Sequence, residues 1–450
     1  MSQATASAPV SGSAVPAGLP APIPGSAVDP LARPRRGRVR EATKAGLNGT
    51  PGRMRVAAAA SVLACLVLGL LGGSAFREWG VALDSARAES AQLVRIQTIQ
   101  NDLVKADAVA ANSYLRGGSE EPATRALYDA AISDAARRLA QPAASAANST
   151  TLETAVDGLT RYVGLVAQAR ANNVQGMQVG AAYQRAAGDV LRKEIVPALE
   201  QVSRSDQERV AAAYDQANLA TLRLIGAGVV AVLGLALVQL WLAVRTRRVF
   251  NLPLAGATVA VLVALTVGFS VLGTAADRVD QVASGPYATT VALSQARTAA
   301  FDAKARESFG LINRGNATAD EKIAKAKIIE AMDAMDTAQA HGGATAPMEA
   351  FVAWSTLHDA VRAADDTGDW PKAQALAVGR IGQTVDSNTV FATFDTVSKQ
   401  ELDRQAADVD AGLSGSRMSL VILGWLTLIF GLLAALASYS GVSQRLGEYR

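Results

Sequence analysis

The sequence predicts an all-α membrane protein with four transmembrane helices and two duplicated extracytoplasmic antiparallel four-helix bundles. Half of its 450 residues are hydrophobic, and the apolar residues cluster in four uncharged segments. Each segment has about 20 residues, which at ~1.5 Å per residue spans the ~30 Å hydrocarbon core of a bilayer. The two long segments between them have helical periodicity, with no alternating strand pattern.

Each hydrophobic segment is predicted to form one transmembrane helix. The helices cover residues 56–76, 221–244, 252–273 and 417–439. We expect the first to stay as an anchor, because it follows 55 residues and has no A-x-A cleavage site. Cys65 is the one cysteine of the chain, so a disulfide or a CxxC pair within the chain is excluded.

The positive charge borders the membrane. Residues 33–55 carry eight Lys or Arg against one Glu, whereas residues 77–219 hold 15 basic and 17 acidic groups and residues 274–416 hold 13 and 20. By the positive-inside rule, both termini are cytoplasmic and the two large loops face outward. The basic flank suits the lipid bilayer surface rather than nucleic acid. The predicted cytoplasmic segments are residues 1–55, 245–251 and 440–450, and the predicted bundles are residues 77–220 and 274–416.

The N-terminal arm, residues 1–55, is rich in Pro, Ser and Ala up to residue 51 and rich in Arg after residue 33. Such a composition buries too little apolar area to offset its ordering entropy, so we predict that the arm is disordered. It is either a solvated tail or a docking arm for a cytosolic partner.

The two halves look like copies of one module. "VSRSDQER" (202–209) matches "VSKQELDR" (397–404), and "ARANNVQG" (169–176) aligns with "VRAADDTG" (361–368). "YLRGG" (114–118) corresponds to "INRGN" (312–316). The near-constant offset of these matches predicts an internal duplication.

Turn signals divide the first module into four helices: long, short, short and long. Ile96, Ile99, Leu103, Ala106 and Ala110 form a coiled-coil-like a/d stripe. The last helix should run straight into the second span, with a kink at Pro197. The second module should repeat this plan, with breaks at 313–318, 341–347 and 365–371. The sequence leaves open whether the bundles pack within one chain or pair across chains in a homo-oligomer.

The turns farthest from the membrane contain the candidate partner-binding residues. Such tips are either plain helix stops or loops that rigid helices present to a partner, with Trp370 as the best single anchor. The candidates are Asn172, Asn173, Gln175 and Gly176 in the first module, and Asp365, Asp366, Asp369 and Trp370 in the second.

Catalytic chemistry is not indicated. His341 and His358 have no neighbouring ligand pattern for a metal, and no Walker loop, GxSxG or HExxH motif occurs. We therefore expect no enzyme and no cofactor. The spans lack the carboxylates typical of transport pathways, but they contain small residues at four-residue spacing. The clearest such ladder, Gly256 to Gly268, predicts close helix packing.

The remaining interpretation is a signal transmitter, built like chemoreceptor sensors, whose long helices carry a displacement across the membrane. Because no output domain follows the last span, the signal would pass to a separate cytosolic protein. The predicted cytoplasmic contacts are Arg445, Glu448, Tyr449 and Arg450. Two alternatives remain: a structural envelope scaffold, and direct binding of a small ligand, with Arg116, Arg170 or Arg314 holding a carboxylate.

The stretch "ARANNVQGMQVGAAYQRAAGDVLRKEIVPAL" (169–199), the duplicated bundles, the Arg-rich arm and the terminal "RLGEYR" resemble the GlnX-type tetraspanning proteins of actinobacteria. The resemblance covers about residues 55–450. It implies that the protein works with a glutamine-binding-type solute-binding lipoprotein outside the cell and with the cytosolic serine/threonine kinase G inside. It further implies that amino-acid availability, of the glutamate or aspartate type, controls glutamate and 2-oxoglutarate metabolism.

Overall fold

The fold was analysed in a computed structural model. It describes residues 50–116, 118, 120–141, 148–246, 251–313, 317–379, 385–414 and 417–447. The structure is 94% helical, and the residues that it describes contain no strand. The predicted all-α class is therefore confirmed. The N-terminal arm up to residue 49 lies outside the described residues.

The described part of the first half of the chain contains five α-helices. A π-helical turn, Leu191–Ile195, joins the fourth to the fifth. The helices are α1 Thr50–Arg116, α2 Pro122–Leu139, α3 Ser149–Val174, α4 Val179–Val190 and α5 Val196–Thr246. With 67 residues, α1 is about 100 Å long and extends unbroken from the first span to the far end of the bundle.

The second half begins with a helix that a second π-helical turn, Ala283–Tyr287, joins to the next one. Its helices are α6 Leu252–Val282, α7 Ala288–Ile312, α8 Thr318–Ala340, α9 Thr345–Asp366, α10 Trp370–Val378, α11 Ser387–Ser414 and α12 Arg417–Gly447.

Both π-helical turns accompany a proline. Pro286 lies inside the second turn, and Pro197 follows two residues after the first. A proline has no N–H to donate, so the regular α-helical ladder cannot continue through it. The irregularity predicted at Pro197 is thus accommodated by a π-helical turn within a continuous helix.

The second bundle departs from the predicted plan. Its last long helix was expected to start directly after the second tip, but α10 ends at Val378 and α11 starts only at Ser387. Gly379 leaves the helix with a φ of 80°. Asp386 then caps α11, because its Oδ1 accepts the N–H groups of Asn388 and Thr389 at 2.9 and 3.1 Å. The second bundle therefore has one more helix than the first.

Within the described ranges, four helical stretches are long and apolar enough to cross a membrane: Gly52–Arg116, Val179–Val244, Leu252–Ile312 and Ser387–Gln444. The chain is thus a multi-pass membrane protein. Trp79 donates to Thr221 at 2.7 Å, joining the first two spans, and Gln239 donates to Thr258 at 2.7 Å, joining the second and third.

The closest approach between spans lies where the first meets the fourth. A Cβ placed on Gly431 would be 2.6 Å from the Cα of Gly69, so only glycine fits there. The small-residue ladder on the third span, which the sequence predicted to pack closely, makes no such close contact at Gly256 or Gly268. A Cβ on Gly256 would meet no atom within 4 Å, and one on Gly268 would make ordinary contacts with Phe76 and Leu224.

The two bundles pack side by side within one chain and share one hydrophobic core. Residues Arg55–Arg450 form one compact unit. The predicted stripe from Ile96 to Ala110 is buried at every one of its five positions. Along the contact between α1 and α7, Asn101 donates to Ser294 at 3.1 Å, and Ser308 donates to Asn112 at 2.5 Å.

The contact between α1 and α7 pairs residues that are 193–197 positions apart. This separation matches the repeat offset of the sequence, so equivalent helices of the two copies face each other about a pseudo-two-fold axis. Nineteen of the 25 residues of α7 are buried. This helix is therefore the centre of the outer domain and carries four buried charges: Arg297, Asp302, Lys304 and Glu307.

Candidate functional site

The first tip is a helix stop built around a glycine. Gly176 has a φ of 70°, and the N–H of Met177 returns to the carbonyl of Asn172 at 2.9 Å. Asn172 Nδ2 donates to the carbonyl of Gln168 in its own helix at 2.8 Å. Asn173 Nδ2 donates to the carbonyl of Tyr114, in the last turn of α1, at 3.2 Å. Asn173 thus satisfies a carbonyl that the end of α1 leaves without an intrahelical partner.

Residues of the second tip likewise cap the ends of helices. Asp369 caps α10 by accepting the N–H of Lys372 at 3.1 Å. The partly buried indole of Trp370 donates to the carbonyl of Leu311, at the end of α7, at 3.0 Å. Asp365 and the 69% exposed Asp366 both accept from Arg362, at 2.7 and 2.6 Å.

Both tips converge on the end of α1. Gln374, in α10, donates to the carbonyl of Leu115 at 2.9 Å, one residue along from the carbonyl that Asn173 caps. Arg116 donates to the carbonyl of Val378 at 2.9 Å. A displacement of either tip would therefore be transmitted to the same long helix.

The exposed part of the first tip is apolar as well as polar. Val174, Met177 and Val179 expose 65%, 49% and 49% of their surface, and Gln175 and Gly176 between them are also exposed. Exposed apolar side chains grouped at a rigid tip are typical of protein contacts. Among the predicted tip residues, Gln175, Gly176 and Asp366 are exposed, and Asp366 is so although it pairs with Arg362.

The predicted cytoplasmic contacts fall at the edge of the described chain. Arg445 lies in the last turns of α12, which ends at Gly447. Glu448, Tyr449 and Arg450 lie outside the described residues, as do residues 247–250 of the predicted cytoplasmic turn.

Two of the three arginines considered for ligand binding are described, and both have protein partners. Arg116 pairs with Glu121 at 2.5 Å. Arg170 pairs with Glu120 at 3.1 Å and stacks 3.9 Å above the ring of Tyr128. Arg314 lies outside the described residues.

A cavity of about 430 Å³ lies between the two bundles, where α1 and the start of α2 face α7 and α11. Ligand pockets typically measure about 300–1,000 Å³. Phe301 and Phe391, packed edge to face at 5.0 Å, contribute to its apolar wall. Arg116 belongs to its lining, together with Lys105 and Asn388.

One arginine joins the two bundles below the tips. Arg192, in the first π-helical turn, contacts Asp107 of α1 at 2.8 Å and Asp302 of α7 at 2.6 Å. The two aspartates are 195 residues apart, a separation within the range of the repeat offset. Burial raises the pKa of the fully buried Asp107 despite the arginine. Although burial opposes its charge, the two carboxylates raise the pKa of Arg192.

A second interbundle pair lies beside the cavity. Lys105 of α1 contacts Asp395 of α11 at 2.6 Å, and Arg297 of α7 contacts the other oxygen of Asp395 at 2.7 Å. Burial opposes the charge on Asp395, but Arg297 and Lys105 outweigh it and lower its pKa. Two cations thus share one carboxylate at the edge of the cavity.

His358 is fully buried in a charged network inside the second bundle. Its Nδ1 lies 2.9 Å from Glu307 and its Nε2 lies 3.4 Å from Glu321. Burial opposes its charge, but these carboxylates raise the pKa of His358 to about 9. Burial likewise opposes the charge of Glu307, but Lys304 and His358 lower its pKa to about 2. The two glutamates thus favour the charged form of the buried histidine.

The sequence did not predict the contacts of Arg192 with Asp107 and Asp302, which we call the Arg192 clamp. It also did not predict the charged network around His358 or the cavity. Asp107, Arg192 and Asp302 come from three separate helices, and no local pattern links them. The repeat offset was the one signal available, because the separation of Asp107 and Asp302 falls within its range. Among the residues that the structure describes, no group of three or more His, Cys, Asp or Glu could hold a metal ion.

A comparison with protein families supports a sensing or signalling role. The model of the family described as "Actinobacterial sensor domain" matches residues 82–215, which include nearly all of the first bundle. No curated protein and no solved structure matches the chain. The outer part of this multi-pass membrane protein is therefore similar to a sensor domain.

Proposed function

We propose that the chain is a transmembrane signal transmitter that converts an event at its extracytoplasmic tips into a displacement of the spans. The observation that carries the proposal is the continuity of α1 and α5. Each runs as one helix from the outer bundle into a span. Because a helix is stiff along its axis, a small slide or rotation at one end reaches the other.

The Arg192 clamp supports the proposal in a second way. The π-helical turn that carries it lies at the start of the path from the first tip into α5, and π-turns are frequent at functional sites. Because Arg192 holds both Asp107 and Asp302, a shift of α5 changes the contact between the bundles. The two halves would therefore move together.

We further propose that the outer signal is amino-acid availability, presented by a solute-binding lipoprotein that docks at the tips. The exposed group of Val174, Gln175, Met177 and Val179 supports a docking role for the first tip. The alternating exposed polar and apolar groups of this tip suit a protein partner. Asp366 would contribute an exposed carboxylate at the second tip.

Inside the cell, the proposed receiver is a serine/threonine kinase that controls glutamate and 2-oxoglutarate metabolism. With both termini in the cytoplasm, its contacts would be Arg445, Glu448, Tyr449 and Arg450. The resemblance to GlnX-type proteins motivates this assignment, and the charged and aromatic side chains of the tail suit a protein contact.

Photo-crosslinking in native membranes tests the relay. A photoreactive residue at Gln175 or Asp366 should capture a solute-binding lipoprotein, and one at Tyr449 should capture a kinase. A photoreactive residue at Glu153, exposed on α3 away from the tip, is the control. Equal capture from Glu153 and Gln175, or labelling at Gln175 and Tyr449 that yields neither partner, would refute the relay.

Direct sensing of a small ligand is the second candidate function, and the cavity between the bundles favours it. A ligand bound there would contact α1, α7 and α11 at once. It could then shift the bundles against each other without a partner at the tips.

A further inference from the structure

The cavity between the bundles contains an acceptor that the protein leaves unsatisfied. Asn388 belongs to the lining, and its Oδ1 is buried without a hydrogen-bond partner. A buried acceptor without a donor costs about 1–3 kcal/mol. Asn388 is held in place because its backbone N–H donates to the capping carboxylate of Asp386. The backbone of Asn388 is therefore fixed beside the cavity, and a ligand N–H that reaches Oδ1 would satisfy it.

One edge of the cavity is basic, although the whole lining is balanced, with Lys105, Arg116 and Lys304 against Glu120, Glu121 and Asp395. Lys105 and Arg297 share the single carboxylate of Asp395, and Lys105 has further N–H donors to offer. Arg116 at the rim completes a basic edge, although Glu121 partly neutralises it. This edge of the cavity would attract a carboxylate.

An apolar wall completes the site. Phe301, Phe391 and Leu127 belong to the lining, and an apolar wall with a few fixed polar groups is typical of small-molecule pockets. We propose that this cavity binds a small zwitterion of the α-amino-acid type, with its carboxylate at Lys105 and its amino N–H at Asn388. The role of this site in signalling rests on the sensor function proposed above, whereas its binding chemistry does not.

The test uses the full chain in lipid nanodiscs and measures its thermal unfolding with each of the twenty L-α-amino acids. At least one should raise the melting temperature. Its amide, which lacks the carboxylate, and its des-amino acid, which lacks the N–H donor, should bind at least tenfold more weakly. If no amino acid stabilises the protein, or if both analogues bind as well as the amino acid, the proposal is wrong.

Three variants locate the site. Lys105→Met and Asn388→Leu should each weaken binding at least tenfold, and Lys105→Met should still fold because Arg297 continues to pair with Asp395. Ala392→Phe fills the cavity from an exposed position and should abolish binding at an unchanged helix content. Lys399→Met, an exposed residue of the same helix, is the matched control and should bind normally.

Binding that Ala392→Phe leaves unchanged would place the ligand elsewhere and overturn the proposal. Capture of a lipoprotein at Gln175 is a separate measurement, which a filled cavity should not affect. Failure of the tips to bind a lipoprotein can therefore be distinguished from failure of the cavity to bind an amino acid.

Discussion

At the scale of single residues, the interface between the bundles depends on buried charges rather than on apolar contacts alone. Arg192 contacts two aspartates from different bundles, and Asp107 is completely buried. Removing one member of such a cluster costs more than the cluster contributes, because a charge remains buried without compensation. The cluster thus makes the interface selective for one relative position of the two bundles.

Replacing Arg192 with Met should lower the free energy of unfolding by about 3–5 kcal/mol at pH 7. The deficit should be smaller at a lower pH, because burial raises the pKa of the Asp107 carboxyl and favours its neutral form once the arginine is gone. Denaturant titration of the detergent-solubilised protein measures both values. Lys193→Met is the matched control. Lys193 is exposed and pairs with the exposed Asp189, so its loss should cost no more than about 0.5 kcal/mol. Equal effects of the two substitutions would contradict the role of the clamp.

His358 should make the stability of the outer domain depend on pH. Its pKa is raised from 6.5 to about 9, so its contribution is complete below about pH 6.5 and is lost as the pH rises through about 9. At about 1.4 kcal/mol per pKa unit, the loss is on the order of 3 kcal/mol. Unfolding measured from pH 6.5 to 9.5 should show this decline.

The variant His358→Gln should lack that part of the decline. Lys304 and Glu307 are present in both proteins, so the difference between the two curves isolates the histidine. The same change at His341, which is exposed in a turn, should leave the curve as it is. A decline of equal size in wild type and His358→Gln would show that other groups cause it.

At the scale of helices, two features decide how the elements fit together: the glycines between the first and fourth spans, and the phase of α5. Gly69 and Gly431 allow two backbones to touch. α5 holds the buried Asp206 in the outer bundle and Thr221 against Trp79 near the membrane. Both contacts fix the rotation of a helix about its own axis.

Gly431→Ala should destabilise the protein by about 1–3 kcal/mol, because the added Cβ would lie 2.6 Å from Gly69. Gly234→Ala is the matched control in another span, where a Cβ meets nothing within 4 Å. It should be neutral or slightly stabilising, since alanine favours a helix over glycine. Thermal unfolding of the full chain in detergent compares the two, and equal melting temperatures would contradict the contact.

One alanine inserted after Val210 should uncouple the tips from the cytoplasm. It rotates the rest of α5 by about 100° and moves it by about 1.5 Å, so Asp206 and Thr221 cannot both keep their partners. The readout is kinase-dependent phosphorylation with and without external amino acid. An alanine inserted after Gln141, in the connection behind α2, changes no helical phase and should be tolerated. A normal response to the Val210 insertion would favour the scaffold.

At the scale of the whole molecule, the duplication becomes a single folding unit. The core contains residues of both bundles, and α7 is buried on nearly all sides. Neither bundle alone would cover its own apolar surface. The two copies therefore act as one body, and any event at one tip is shared with the other half of the chain.

If the chain is divided in the 245–251 connection and both halves are produced together, they should purify as a one-to-one complex. The first half alone should aggregate or unfold without cooperativity, because the face of α1 that covers α7 is then exposed to water. Size-exclusion chromatography with light scattering measures the outcome. A first half that is monomeric and melts cooperatively would contradict the shared core.

Much of this architecture follows from local signals. The four spans, the stripe from Ile96 to Ala110 and the irregularity at Pro197 could be predicted because apolar runs, helical periodicity and proline act within a few turns of the chain. The extra helix α10 was missed, although Gly379 marks its end and Asp386 marks the start of α11, because the repeat suggested a continuous helix. Helices α3 and α9 end where the sequence placed the tips, but the use of Asn173 and Trp370 as helix caps was not foreseen.

The sequence by itself determined the helical class, the membrane-spanning segments, the duplication and the positions of the tips, since each depends on composition or on neighbouring residues. Only the tertiary structure decided that Arg192 joins Asp107 to Asp302, that His358 lies between two glutamates, and that Asn388 faces a cavity without a donor. These contacts join residues far apart in the chain, and burial sets their energies. The packing of the helices therefore created the candidate site, whereas the sequence alone supplied its parts.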